Sequence, residues 1–579
     1  MAKEVEMTNT ERALFDWEST VDSINKESTA DHQPSQAETT SSTRSKRESM
    51  DIAGSVFLVA SDGRLLSLPI PSESPSDPLN FELRRRLFIY AILLIHSATC
   101  MFSIQSPANL YKAFLHTFTK EDMAPFSVDT LSGSPTLMMG LSFFFWIPMS
   151  VAFGRRPIII LSAVMMSVGS LWAGFTNDYH QLLAAICLTG LAGGATLSTT
   201  ILQLIDLTFI HERPLAIATF WCCGGGIPLL VLANLPLMVD VGKDYHSVYR
   251  GLAIPSIIML IAIFFFVPET YFLRPPVAFD GRVLVQSGTE KIRMYEEWWD
   301  VPGGDNRSIR AMENGLPSLN DLPVHTWRVT PLRIWKRSVC DPRAAVASFI
   351  QIFLCVANPL VFWVTLLNSI NFGGMMSIGV GFPVRMAEAP YHLPAYAVSR
   401  VNFAAAAGSF LALPASYFML NNVMKRLTLR NKGVRHAEFY LPAFILPVVS
   451  GAVSVFIYGF AARDKWHPAA YHVAYGLNAF SYVSASVVNT IWVVESLPQW
   501  AAAGIAVVGG VSYVASYGIT AALPMWNAAA GYVAVNSAIG VAMIGVGLFA
   551  IPIAFWGKSV RQFISGRFSA YEGGALRPQ

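Results

Sequence analysis

Charge is what this sequence has least of. Of its 579 residues, 14% are Asp, Glu, Lys or Arg, where a soluble domain carries roughly a quarter. With 53% hydrophobic residues and a mean hydropathy of +0.44, more apolar surface exists than a soluble fold of this length can hide. The net charge of +3 is too small to argue for a nucleic-acid partner. Cysteine is scarce as well: of the six, only Cys340 lies clearly outside an apolar stretch, so no disulfide framework can be read. Histidines form no HxxxH pair; His467 and His472 come closest, at a spacing that puts them on different helix faces, and no metal-ligand set follows. The run Gly557-Lys558-Ser559 has Pro552 where a phosphate-binding loop requires its first glycine. With no nucleophile–base constellation either, the chain reads as neither an enzyme nor a cofactor protein. The first fifty residues lack the apolar core of a signal peptide. They are rich in Ser, Thr and Glu, a composition that cannot bury a core and is expected to be disordered.

What is present is a series of apolar runs of the length that crosses a bilayer, about 20 residues. They cover 87–106, 135–153, 158–175, 181–205, 215–238 and 251–267, and then 358–380, 401–420, 439–460, 470–494, 501–523 and 532–556. A polar stretch separates the two groups. The expected organisation is a tail over 1–86 with a candidate hairpin at 55–71, an N-terminal six-helix bundle over 87–268, a central loop over 269–357, a C-terminal six-helix bundle over 358–556 and a tail over 557–579. Residues 344–357 are expected to form a helix lying along the interface, or else the start of a long tilted seventh span. Lys and Arg cluster before the first run (Arg84, Arg85, Arg86), between the second and third (Arg155, Arg156), through the central loop, after the eighth run (Lys425, Arg426, Arg430, Lys432, Arg435) and after the last (Lys558, Arg561). By the excess of positive charge on cytoplasmic loops, both termini and the central loop are cytoplasmic.

Short motifs then carry a resemblance. Asp77-Pro78-Leu79-Asn80 precedes the first run; Phe153-Gly154-Arg155-Arg156-Pro157 joins the second and third; Asp206 is followed by His211-Glu212-Arg213; Pro268-Glu269-Thr270 ends the sixth; Arg430 to Arg435 is followed by Glu438; and Gly557-Lys558 with Arg561 closes the last. Together they resemble the fungal twelve-span group of the major facilitator superfamily that is similar to drug:proton antiporters and secondary-metabolite efflux pumps. The resemblance implies an all-α integral membrane protein: the major facilitator fold, two six-helix bundles related by pseudo-two-fold symmetry, acting as a monomer in the plasma membrane. It also departs from the family pattern. Ile147, Val151 and Ala152 stand where a Gly, an Asp and an Arg are usual between spans two and three, and Ile186 stands where span four usually carries an Arg implicated in proton coupling.

Spans one, four, seven and ten line the cavity in this fold. The polar candidates for substrate contact on them are His96, Gln105, Thr200, Gln203, Asn368, Asn371, Asn478 and Tyr482, with Trp221 of span five as an aromatic wall. For any one of these residues an interhelical hydrogen bond is the alternative. His96 has the ordinary titration range for a proton carrier. Arg155, Arg156, Asp206, Glu212, Arg213, Glu269, Arg435, Glu438 and Glu495 sit at the cytoplasmic ends of spans. There they form either a lock that holds the two halves closed inside or simple interface anchors. Three functions stay open: a proton-coupled exporter of a small organic compound, a proton symporter or facilitator importing a nutrient such as a polyamine or sugar, and a transporter-like sensor that no longer transports. The departures motivate the last. The orientation is checkable. Single cysteines placed at Asp122 or Asp464 are expected to react with an impermeant reagent from outside intact cells, and one at Asn314 is not; the reverse pattern overturns the topology.

Overall fold

Lipid offers backbone N–H and C=O groups no partners, so an apolar run satisfies them within itself as a helix. The computed structural model of the chain describes residues 77–272 except 241–242, and 342–568 except 388–389, 431–436 and 498–499, together with strand segments at 50–51, 57–59, 65–67, 277–279, 282–286 and 292–295. Among the described residues, eleven stretches are long and apolar enough to cross a membrane. The last of them, Ala501–Leu548, is interrupted at Gly531, with φ 81° and ψ 159°, a backbone conformation that glycine adopts without strain. It is therefore two helices, and the spans among the described residues number twelve.

Spans 1 to 6 are Leu83–Asn109, Val128–Phe153, Arg155–Phe175, Tyr179–Leu207, Arg213–Met238 and Tyr245–Phe266. Spans 7 to 10 are Pro359–Ala387, Val401–Phe418, Ile445–Asp464 and Pro468–Ser496; spans 11 and 12 are 501–530 and 532–548, and Ala550–Phe568 follows. The helix starts have local causes. Asp178 and Asp244 cap spans 4 and 6 by accepting from the backbone N–H groups of His180 and Ser247. Asp77 does the same for the turn before span 1, accepting from Leu79 N–H at 3.1 Å. Spans 2 and 3 are parted by Gly154 alone, at φ 101°. The three arginines before the first apolar run fall inside span 1, which begins at Leu83.

The face at which span 1 begins and span 12 ends is called here the terminal face; Asp122, Asp178, Asp244 and Asp464 mark the far face. Apolar packing differs between the two. On the terminal side a single cluster runs through both halves, including Ile147, Ile205, Phe220, Leu360, Phe444 and Trp492. Toward the far face the first half has its own cluster around Phe114, Tyr179, Tyr245 and Tyr249. The second half has another around Phe382, Tyr458 and Tyr471, joined by Leu229 of span 5. The molecule is thus sealed across its two halves on the terminal side.

Spans 2 and 11 make that seal by close approach. A Cβ on Gly140 would lie 2.8 Å from the backbone nitrogen of Val514 and 2.9 Å from the Gly510 carbonyl oxygen. Phe143 packs onto Gly509 and Phe144 onto Gly510. The helix Pro342–Val356 lies against spans 2 and 11, with Ile352 and Cys355 buried. Its other side is apolar too, Phe353 being 75% exposed. It is a separate helix: Asn358 accepts from Leu360 N–H at 3.0 Å and starts span 7 anew. In the tail, Phe57–Val59 pairs antiparallel with Leu65–Ser67, Leu58 opposite Leu66, within the stretch where a hairpin is expected. A sheet of four short strands joins Met50–Asp51 to Ile292–Tyr295, Arg282–Gln286 and Val277–Phe279 in that order. The disorder expected of the first fifty residues, most of the central loop and the tail beyond 568 lie outside the described residues.

A Gly140→Ala change is expected to force spans 2 and 11 apart and lower the thermal stability of the purified protein by about 1–3 kcal/mol. Gly518→Ala is the control, since nothing lies within 4 Å of a Cβ there. Equal melting temperatures for the two variants would show that the spans do not depend on this contact.

Candidate functional site

Several of the charges at the terminal face are held by partners. Glu269 folds back over the start of span 3, its carboxylate accepting from the backbone N–H groups of Arg155 (2.9 Å), Arg156 (3.2 Å) and Tyr271 (2.9 Å). A negative charge at a helix amino end is favoured by the helix dipole. Gly154 is required beside it, because any Cβ there would collide with the Glu269 carboxylate. Burial pushes the Glu269 carboxyl up from its ordinary range, opposed by those three N–H groups and by Arg155. Arg155 Nε pairs with Asp206 at 3.2 Å, and Thr270 donates to the same carboxylate oxygen at 3.3 Å. Arg156 donates to the Phe264 carbonyl at 2.9 Å. Glu212 pairs with Arg86 at 3.0 Å, and buried Arg213 donates to the Thr208 carbonyl at 3.3 Å. In the second half Glu438 pairs with Arg561 at 2.5 Å, and Glu495 sits half-buried at the end of span 10. Arg435 lies outside the described residues. Each of these pairs joins elements of one half. These pairs join span ends within a bundle, and the apolar cluster spans the two halves on the same side.

At mid-depth the halves meet in a layer of rings and amides. Phe372 of span 7 packs against Tyr482 of span 10 and Tyr513 of span 11, both at 5.2 Å between ring centroids, and Phe143 of span 2 reaches Tyr513 at 5.8 Å. The hydroxyls of Tyr482 and Tyr513 are 3.0 Å apart. Below them Asn489 donates to Asn368 at 2.8 Å. Trp221 of span 5 donates its indole N–H to Thr490 of span 10 at 3.1 Å, a hydrogen bond from one half to the other. Trp221, Asn368 and Tyr482 are half-buried, so part of the layer's surface is open. Gln105, half-buried on span 1, lies on the far side of this layer.

The other expected substrate contacts are elsewhere. Asn371 donates to Ser481 at 2.7 Å and Asn478 to Ser454 at 2.9 Å, which places both in the packing of spans 7, 9 and 10. His96 lies inside the first half, its Nε2 within 3.2 Å of Thr196 on span 4 and 3.5 Å of Ser162 on span 3. Thr200 and Gln203 are fully buried on span 4, and no hydrogen-bond partner meets the Thr200 hydroxyl or either amide atom of Gln203. Phe143, Phe372 and Tyr513 escaped sequence reasoning because an aromatic inside an apolar span looks like any lipid-facing or core residue. Thr490 escaped it because nothing marks a lone threonine as a partner for a tryptophan five spans away. Among the described residues no group of three or more His, Cys, Asp or Glu could hold a metal ion.

Comparison with known proteins adds the family. The model described as Major Facilitator Superfamily matches residues 91–517. The chain is 20% identical over 557 residues to the "Uncharacterized MFS-type transporter C1271.10c" of Schizosaccharomyces pombe, covering 91% of this chain and 93% of the relative. It is 20% identical over 529 residues to "Protein HOL1" of Saccharomyces cerevisiae, covering 85% and 90%. Over 228 residues, 39% of this chain and 41% of the relative, it is 28% identical to "Citrate exporter 1" of Aspergillus niger. Its fold is similar to that of the proton:xylose symporter XylE, with a TM-score of 0.52 at 11% identity, covering 82% of this chain and 96% of that one.

The hydrogen bond between the halves can be weighed by a double-mutant cycle. Trp221→Phe and Thr490→Val are each expected to destabilise the purified protein, with a coupling of about 1 kcal/mol between them. Strictly additive effects would show that the two side chains do not act as a pair.

Proposed function

Because the chain belongs to the Major Facilitator Superfamily, we propose that it is a secondary active transporter that exports a small organic compound across the plasma membrane by alternating access, as a monomer coupled to protons. The terminal face is then cytoplasmic, and the structure corresponds to a state closed on that side. The observation that carries the substrate reading is the mid-depth layer. The side chains that make it are aromatic, amide and hydroxyl: Phe143, Trp221, Phe372, Tyr482, Tyr513, Asn368 and Asn489. Rings supply broad flat contact area, and neutral donors and acceptors orient a ligand without demanding that it be charged. An uncompensated cation at this depth costs several kcal/mol. The layer therefore suits a neutral, weakly acidic or largely apolar molecule and suits polycations poorly. Export is favoured over import by relatives that are named as exporters, the Aspergillus niger citrate exporter and the "Efflux pump FUBT" of Fusarium oxysporum, the latter 25% identical over 202 residues.

The separating measurement is accumulation of labelled compounds in cells with and without the gene. Lower accumulation of an aromatic or weakly acidic compound in the expressing cells is the expected result, lost in a Tyr482→Ala variant that still reaches the membrane. Higher accumulation would establish an importer, and unchanged flux over a broad panel would leave a sensor. Robust spermidine transport would refute the charge argument independently.

A further inference from the structure

Among the described residues of the first half, buried side-chain polar atoms without a hydrogen-bond partner occur on several spans, and one group of them, on Thr199, Thr200 and Gln203, lies along a single face of span 4 that leads to the imidazole of span 1. Thr196 and Gln203 are seven residues apart, close to two helical turns, so they share a face. Thr199 and Thr200 occupy the turn between them, and Asp206 follows Gln203 by three residues. Over this length the helix rises by about 15 Å. At one end Thr196 touches His96 and Ser162, which directs this face of span 4 toward spans 1 and 3. At the other end Asp206, partly open to the terminal face, pairs with Arg155 of span 3. Between them the hydroxyls of Thr199 and Thr200 and both amide atoms of Gln203 are buried without a hydrogen-bond partner.

Hydrogen counting assigns a tautomer to the imidazole. Ser162 and Thr196 have one hydroxyl hydrogen each. Their oxygens are 2.6 Å apart, which places one hydrogen between them, and both oxygens lie within 2.9 Å of the Ala192 carbonyl, which takes the other. Neither hydroxyl hydrogen is left for the ring, and with the Cys100 thiol, 3.4 Å from the Thr196 hydroxyl, donating to that oxygen, we assign Nε2 as the donor to Thr196 at 3.2 Å. In the neutral tautomer that results, Nδ1 carries the basic lone pair, and Nδ1 is buried without a partner. Around the ring stand Cys100 of its own span, with Sγ 3.9 Å from Nε2, Ser162 of span 3 and Thr196 of span 4. The other titratable or charged residues on the spans packed against it are Asp129 on span 2, Arg155 and Arg156 on span 3, Tyr179, His180, Cys187 and Asp206 on span 4, Arg213, Cys222 and Cys223 on span 5, and Tyr245, His246, Tyr249 and Arg250 on span 6.

We propose that this column is a proton path through the first half, entered at Asp206 and ending on Nδ1 of His96, separate from the ring-and-amide layer that meets the substrate. Buried atoms of this kind are ordinarily satisfied by ordered water. A water file along Thr199, Thr200 and Gln203 joins the terminal face to the imidazole. One proton adds to Nδ1, the ring gains one positive charge, and loss of the same proton to the file restores the neutral ring. The inference rests on the reading of the chain as a proton-coupled transporter, but its test needs no substrate.

The test is exchange of the His96 C2 hydrogen for deuterium in the purified full-length protein, followed by mass spectrometry as a function of pH. The rate is expected to rise with pH and level off along a single titration curve. Gln203→Leu, which interrupts the file, is expected to slow it by about tenfold or more. Should Gln203→Leu fail to fold, Thr200→Val is measured in its place. Exchange without pH dependence, or an equal rate in the interrupted variant, overturns the proposal and leaves His96 a helix-packing residue. Proton-coupled export persisting under that result would leave the transport reading standing while removing this path; a titrating His96 in a protein with no measurable flux would do the reverse.

Discussion

The scarcity of hydrogen-bond partners inside a bilayer governs this molecule. It makes each apolar run a helix, and it obliges every side-chain donor and acceptor within a span to find its partner in a neighbouring helix, in its own preceding turn or in bound water. Most do so visibly. Asn371 uses Ser481, Asn478 uses Ser454, Asn489 uses Asn368, and Ser377 uses Asn536 at 2.9 Å. In the second half these pairs leave the amide nitrogens spent and the helices fixed. Buried polar atoms without a partner remain in both halves, the Oδ1 atoms of Asn371 and Asn478 among them, but span 4 of the first half gathers three such residues, Thr199, Thr200 and Gln203, on one face.

Where the bundles touch, size takes over from polarity. Lipid tails give helices no hydrophobic reason to associate, so contact depends on how closely backbones can approach. Gly140, Gly509 and Gly510 allow spans 2 and 11 to interleave rings with bare backbone, and Phe410 of span 8 packs against Gly226 of span 5 in the same way. The ion pairs described above each lie within one bundle. Glu269 ties span 6 to the start of span 3, and Arg155 ties that start to span 4 through Asp206. A rigid first half and an apolar joint between halves is a division suited to bodies that rock against each other.

The sequence made the spans legible because length and hydropathy are properties of single segments. It also marked the break between spans 11 and 12, where the apolar runs stop at 523 and resume at 532, around Gly531. The charged ends were legible as a group, since Arg155, Asp206 and Glu269 fall at helix termini in any drawing of the chain. Their partners were not: which carboxylate meets which arginine depends on helix rotation, which hydropathy does not encode. The same limit explains the candidate contacts. His96, Asn371 and Asn478 are polar and mid-span, and nothing in their spacing tells a cavity-facing side from a bundle-facing one. The ring layer was hidden for the opposite reason, since Phe143, Phe372 and Tyr513 carry no polar marker, and their importance lies in meeting across the two halves.

The helix Pro342–Val356 touches one span from each half, on spans 2 and 11, and turns the aromatic and aliphatic side of Phe349, Ile350 and Phe353 outward. It is attached to span 7 through Asn358 and not fused to it. Any rotation of the halves has to slide this helix or part it from one of its two supports, and in doing so changes the area it presents to the acyl chains. Bilayer thickness and lateral pressure thereby enter the energy difference between the closed and open forms, and the membrane becomes a mechanical component of the cycle as well as the medium that holds it.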